Sequence, residues 1–440
     1  MLFRFEKLMS SFMVTILLLA ALGLTCAAAP AQEIRLSLMM YGDDSQKYFF
    51  DLIKEGFERD NPGYKLDYEI VAYAQYIEKI QVLFATGTAP DVFLTWAQYK
   101  PLFVESGMLL DVTERINRSE VVKLDQFFPV IKDNISYQGR MWGTPWGFNS
   151  TVWIANLDLL NEAGIAFPGY DWTVDDLREI SRKIARPEQK IFGTVNPITS
   201  GDGHTIQWFI NWAGHGYVDE TGRKVLVNSN KAVEMVDYWR ELALDLAVIP
   251  SSRYPRTSGA TFLGTGDLAF WQCWTTETQR LITFRQQGIE PVRWRFTTYP
   301  KAANGQGHFA QGHLWSIPAN SKRPDDAWKL LEWLGSEACD YIWASSQRTP
   351  PVMPNVRHWN AYNQLLSERD RQEVLNFIVN VVYGQGYAQD LSYWPTYGEM
   401  STIIKAQLGQ VYAGNISAKM AMDQAAAQMQ IVLDEYWSKK

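Results

Sequence analysis

The chain has 440 residues, 47% of them hydrophobic and 20% charged, with a formal net charge of −7 and both signs mixed along its length. That length suits two domains better than one core. The absence of a basic stripe or polybasic tract argues against nucleic acid and against an electrostatically held membrane surface as partners.

Arg4 and Lys7 precede an apolar run from Phe12 to Leu24, with small residues at Ala29 and Ala31. This pattern is that of a secretory signal peptide over residues 1–31, too short in its apolar part for a membrane span, and it predicts a soluble periplasmic product cut before Gln32. Lipid attachment at Cys26 is the competing expectation, disfavoured by Gly23-Leu24-Thr25 in front of it. Ile34 to Met40 reads as a strand ending at Tyr41-Gly42-Asp43-Asp44. Phe49, Leu52, Ile53 and Phe57 then recur at helical spacing until Asn61-Pro62-Gly63. Leu66, Tyr68 and Ile70 alternate as a second strand, Tyr76 to Phe84 form another amphipathic helix, and Val92 to Leu94 a third strand. Strand and helix alternate, which predicts a largely parallel sheet with ligands at the carboxyl ends of its strands.

From about Asn149 a second series begins, with helices expected near Val174 to Ala185, His204 to Ala213 and Lys231 to Leu246. Its strands are expected at Ile191 to Thr194 and Asp267 to Trp271. Met400 to Ala413 and a helix capped by Ser417 follow. No repeat or flexible linker separates the two series, so the chain is expected to cross between lobes more than once. Cys273 and Cys339 are compatible with a bridge or with two buried thiols. Aromatic residues make up 14%, with 18 Trp and 21 Tyr, several beside Asn, Gln and His. Such clusters suit stacking on sugar rings with hydrogen bonds nearby.

Several blocks carry a resemblance: FERDNPGY (57–64), ATGTAPDVFLTWAQYKPLFVESGMLLD (85–111), YQGRMWGTPWGFNSTVWIAN (137–156), Ala163-Gly164-Ile165 with Trp172-Thr173, FLGTGDLAF (262–270), His313 to Ala327, and GNISAKMAMDQA (414–425). In this order they resemble the extracellular solute-binding proteins of carbohydrate ATP-binding-cassette importers, the family 1 group similar to maltodextrin-binding protein. Phe270 departs from the methionine usual there. The resemblance implies an α/β fold of two lobes, the type II periplasmic-binding-protein architecture, hinged over an interlobe cleft. It places lobe one at 32–148 plus 312–365 and lobe two at 149–311 plus 366–440. A monomer is expected, with a small carbohydrate as ligand, importer permease subunits as partners, and no cofactor or metal.

Candidate binding residues follow from strand ends and from the family's positions. Trp96, Gln98 and Tyr99 lie just past the third strand, where the family presents an aromatic ring and a polar neighbour; core filling is the plainer role for Trp96. Asp43 and Asp44 offer charge-assisted acceptors, although helix capping explains one of them. Trp146 and Asn149 sit at the first crossing, where hinge packing competes with ligand contact. His204 belongs to a loop that adds a ligand contact in the family. With His215, His308, His313 and His358 it shows no metal-binding spacing. Trp271 and Trp274 flank Gln272 in the densest aromatic and polar cluster, and opposite strand faces would leave only one of the pair in the cleft. His313 follows Gly312 at the second crossing, where the glycine is expected to let backbone approach the ligand. Arg348 suits vicinal hydroxyls or a carboxylate, an ordinary ion pair being its alternative. Trp394 and Tyr397 stand where relatives add a last ring. No nucleophile elbow or phosphate loop appears, so catalysis is not expected. Two rival readings are a phosphorylated polyol such as glycerol phosphate as ligand, and a secreted glycoside hydrolase using paired carboxylates.

Overall fold

The computed structural model describes residues 33–43, 47–198, 203–245, 247–248, 261–346, 350–384, 388–390 and 394–440. The expected leader, Asp44 and Arg348 lie outside the described residues. In the first lobe, β1 (Ile34–Tyr41), β2 (Tyr64–Val71) and β3 (Val92–Thr95) alternate with the helices Lys47–Asp60 and Tyr76–Thr86. β1 runs parallel to both neighbours, with Ile34 opposite Tyr64 and Leu38 opposite Val92. All three carboxyl ends therefore open on one side. β2 is the edge strand, and its alternate residues Lys65, Asp67 and Glu69 discourage pairing with another chain.

A short hairpin of β4 (Ser136–Tyr137) and β5 (Arg140–Met141) leads into β6 (Thr144–Asn156). The remaining strands are β7 (Phe270–Trp274), β8 (Trp294–Thr297), β9 (His308–Ser316) and β10 (Ala388–Asp390). The eight-stranded sheet has the order β2-β1-β3-β9-β6-β7, with β10 on β9 and β8 on β6. β6 and β9 belong to both lobes. β6 pairs with β9 from Thr144 to Ser150, then with β7 and β8 from Thr151 to Asn156. β9 pairs with β3 over Leu314 to Ser316 and with β10 over His308 to Ala310.

Side-chain alternation along these strands builds three cores. Leu36, Phe50, Phe93, Trp146, Leu314, Trp315 and Trp343 fill the first lobe. Trp153, Trp208, Trp239, Phe270, Phe309 and Leu408 fill one side of the second-lobe sheet. Val152, Ile154, Trp271, Cys273, Phe296 and Phe377 fill its other side. The stretch 352–366, placed above mainly in lobe one, bridges the lobes. Asp340 of the first-lobe helix Glu337–Ser345 accepts from Val352 N–H and bonds His358, while Val352, Met353 and Trp359 pack in the third core.

Two expectations shift. Ile191 to Thr194 makes only single bridges, Ile191 to Arg186, Phe192 to Leu268 and Thr194 to Val248. The following strand runs three residues later than expected, because the polar Gln272 is accommodated inside it. Cys273 and Cys339 are buried free thiols in different cores, and burial pushes both well above the usual thiol range.

Gly147 carries φ +52 at a register shift between Trp146 and Phe148, a bulge where β6 leaves the first lobe. Opposite it, a Cβ on Gly312 would lie 2.6 Å from Asn134 Oδ1, and Asn134 Nδ2 donates to Gly312 O at 3.0 Å. The close approach that Gly312 permits within the protein is that of Asn134 and the neighbouring strand.

Candidate ligand-binding cleft

Burial along the crossing strands marks where they open. Asn149 is the one residue of β6 that is not buried, Gln311 and His313 are the two in β9, and Trp274 is the one in β7. Asn149 pairs directly with Gln311 and Thr151 with Trp274. Phe309, Gln311 and His313 share one face of β9 by the two-residue period, so they form a floor that runs from the second lobe into the first over about 13 Å.

The first-lobe wall is a column of rings. Tyr73 stacks on Trp96 with centroids 4.5 Å apart and planes at 21°; Trp96 lies over His313 at 6.3 Å and 28°, and His313 over Trp146 at 5.6 Å and 8°. Tyr41, the last residue of β1, meets Tyr73, Trp96, Trp146 and His313 edge-on at 5.2 to 6.2 Å. The column stands where it does because the strands end there. The buried Tyr76 hydroxyl donates to Leu94 O at 2.7 Å and accepts from Leu94 N–H at 3.0 Å, which holds the end of β3 two residues before Trp96. Trp96, Trp146 and the underlying first-lobe core are buried, whereas Tyr73 is 60% exposed. Beside the column, Gln311 Nε2 donates to Gln98 Oε1 at 2.7 Å.

The second-lobe wall joins His204, in the first turn of the helix Gly203–Ala213, to Trp274. Their rings meet edge-on at 4.9 Å, and both contact Phe309, at 5.8 and 5.3 Å. The helix start is seated so closely that a Cβ on Gly203 would overlap the Phe309 ring. Beneath lies Gln272, which bonds His204 Nδ1, accepts from Trp208 Nε1 at 3.2 Å and donates to the Tyr299 hydroxyl at 2.6 Å.

The remaining candidates fall elsewhere. Trp271 is a correction: it points to the opposite face of β7 from Trp274 and is buried in the third core beside Phe262. Tyr99 turns its ring toward Phe103 and the first-lobe core. Asn149 is engaged internally, donating to Thr276 Oγ1 at 3.0 Å and accepting from Thr275 Oγ1, so it ties the first crossing to the turn after β7. Asp43 is exposed just past β1. Trp394 and Tyr397 are half-buried against the second-lobe core, where the Trp394 ring rests on Gly222. Tyr41, Tyr73 and Gln311 lie outside the expected set; Tyr41 opens the Tyr41 to Asp44 loop that the end of β1 marks, and Tyr73 stands in the turn two residues past β2. Among the described residues no cluster of His, Cys, Asp and Glu is placed to hold a metal, and no helix is long and apolar enough to cross a membrane.

Comparison with known proteins bears on this cleft. The family described as bacterial extracellular solute-binding protein matches residues 42–338. A putative binding protein of Brucella abortus is 28% identical over 329 residues, 72% of this chain and 76% of that one. The mannitol-binding protein of Pseudomonas aeruginosa is 21% identical over 433 residues, 93% and 95% of the two chains. Among solved structures, an ABC substrate-binding protein of Listeria monocytogenes in complex with cycloalternan superposes with TM-score 0.73 at 19% identity, covering 92% of this chain and 99% of that one. The two-lobed fold, the crossing strands and a family match over more than half the sequence agree: the chain belongs to the bacterial extracellular solute-binding proteins.

Proposed function

We propose that the protein captures a small carbohydrate, a mono- or oligosaccharide, between its two lobes and delivers it to the permease of an ATP-binding-cassette importer, as a periplasmic monomer and without turnover. The observation that carries this is the pairing of walls: the Tyr73–Trp96–His313–Trp146 column on one side and His204 with Trp274 on the other, over a floor of amide and imidazole groups. Aromatic faces cover the apolar C–H faces of sugar rings, while Gln and His meet the hydroxyls. The names of relatives point the same way, since they include arabinooligosaccharide-, maltotriose- and mannitol-binding proteins. Micromolar binding corresponds to about 8 kcal/mol, within reach of two or three covered rings and satisfied hydroxyls. A ligand touching both walls favours the closed arrangement, and only that differential contact drives closure. Glycoside hydrolysis needs two carboxylates flanking the bond. The described residues that form the two walls and the floor, Tyr73, Trp96, Trp146, His204, Trp274, Gln311 and His313, carry no carboxylate.

The test is a thermal-shift screen of sugars, polyols and their phosphates, with intrinsic tryptophan fluorescence read in parallel. A neutral sugar should raise the melting temperature and change the fluorescence. A shift only with phosphate esters, or release of cleaved sugar, would overturn the reading.

A further inference from the structure

Each wall of the cleft carries one histidine, and in both rings Nδ1 faces a nitrogen that donates. We propose that His204 and His313 are held as neutral Nε2–H tautomers, so that both are hydrogen-bond donors to ligand oxygens, with Gln272 the positioning residue that sets His204. The claim about ligand oxygens rests on the carbohydrate reading above; the tautomers themselves do not.

For His204 the direction is forced from two ends. An indole N–H only donates, so the 3.2 Å contact from Trp208 Nε1 fixes Gln272 Oε1 on that side. A backbone carbonyl only accepts, so Thr151 Oγ1 donates to Phe309 O at 3.1 Å; the Tyr299 hydroxyl, 2.8 Å from Thr151 Oγ1, then donates to Thr151 and accepts from Gln272 Nε2. Both ends require the Gln272 nitrogen to face Tyr299 and His204. One of its hydrogens goes to Tyr299, the other to His204 Nδ1. A proton on Nδ1 would set N–H against N–H. His204 and Trp208 meet the same amide because they lie four residues apart on one helix face.

For His313 the donor is the backbone N–H of Ala97, 3.3 Å from Nδ1. His308 supplies an internal contrast: the Tyr299 backbone N–H lies 3.3 Å from its Nε2 and Thr151 O 2.7 Å from its Nδ1, which demands the opposite tautomer. A ligand group meeting His204 and His313 must bring a lone pair, as hydroxyl and ring oxygens do and an ammonium does not.

The experiment is long-range 1H–15N correlation on the full protein labelled at histidine nitrogen, with His204→Asn and His313→Asn to assign the two rings. His204 and His313 should show the Nε2–H pattern and His308 the Nδ1–H pattern, before and after saturation with the tightest sugar of the screen. Gln272→Glu, which can only accept, should move a proton onto His204 Nδ1 and leave His313 unchanged. If that variant does not fold, Gln272→Met should give mixed tautomers at His204. An Nδ1–H pattern at His204 or His313 in the unsubstituted protein, or an Nε2–H pattern at His204 indifferent to Gln272, would overturn the proposal. Failure of every sugar to bind in calorimetry, with the tautomers as stated, would instead sink the carbohydrate reading.

Discussion

The two walls of the cleft are built on different physics. The first-lobe wall is held by area: rings lie on rings above an apolar core, and Tyr73 adds an exposed face to a column that stands without it. The second-lobe wall is held by direction: His204 sits where Gln272, Trp208, Tyr299 and Thr151 have all committed their donors and acceptors. Loss of a ring from the first wall should cost contact surface. Loss of one partner from the second should leave a buried group such as the Trp208 indole N–H short of its bond, and an orphaned buried polar group costs more than a hydrogen bond contributes.

The sharpest way to break this comparison is Gln272→Leu. It strips Trp208 Nε1 of the Gln272 oxygen and takes one bond each from the Tyr299 hydroxyl and His204 Nδ1, and at about 1–3 kcal/mol for the buried indole N–H the protein should lose at least about 1 kcal/mol in urea unfolding. A loss below about 1 kcal/mol would mean that the network is not what holds the wall. Acid should separate the two lobes next. Burial lowers the His308 imidazole from 6.5 to about 4, against the bond to Thr151 O. Between those values the unfolded chain binds a proton that the native state does not. Stability is therefore full above pH 6.5 and falls as pH drops to about 4, by roughly 3 kcal/mol at 1.4 per unit. His308→Gln should flatten that part of the profile, read by denaturant unfolding from pH 7 to 4. In the first lobe burial raises Glu58, but Leu66 N–H, Lys54 and Lys65 overcome it and hold it at about 2. Its contribution is present above about 4.5 and fades only as pH falls toward 2, so the His308 effect comes first as the solution is acidified and the Glu58 effect after it.

The smaller effects bear on binding. Trp274→Ala should weaken the best sugar by about 2 kcal/mol, roughly thirtyfold, in isothermal titration. Tyr73→Ala should cost about 1 kcal/mol of affinity while moving unfolding by less than about 0.5, because its ring is largely exposed. Equal losses in both assays would show that Tyr73 supports the column instead of extending it.

Much of this was legible in the sequence, and its gaps have physical causes. The strand and helix alternation from Ile34 to Thr95 was readable because each element buries one periodic face. Trp271 and Trp274 take opposite faces only once one strand is known to hold both, and which face is core depends on what packs there. The onset of β7 was misplaced because an apolar run ends at Trp271, whereas the strand continues through Gln272, a polar residue satisfied by groups 27 and 64 positions away. Tyr73 escaped because a turn residue has no periodic signal. The spacing of His204 and Trp208 was visible, yet nothing local announces that one amide joins them.

The bulge at Gly147 carries a genetic consequence. β6 and β9 share one ladder through the hinge, and a slip of one residue turns every later side chain to the other face. Deleting or inserting a single codon in either strand would exchange Trp153 for its neighbour in the second-lobe core, or withdraw His313 from the cleft. These two strands can therefore diverge among relatives by substitution but scarcely by change of length, while the exposed turn at 286–290, with nothing packed over Gly288, is far freer to change its length.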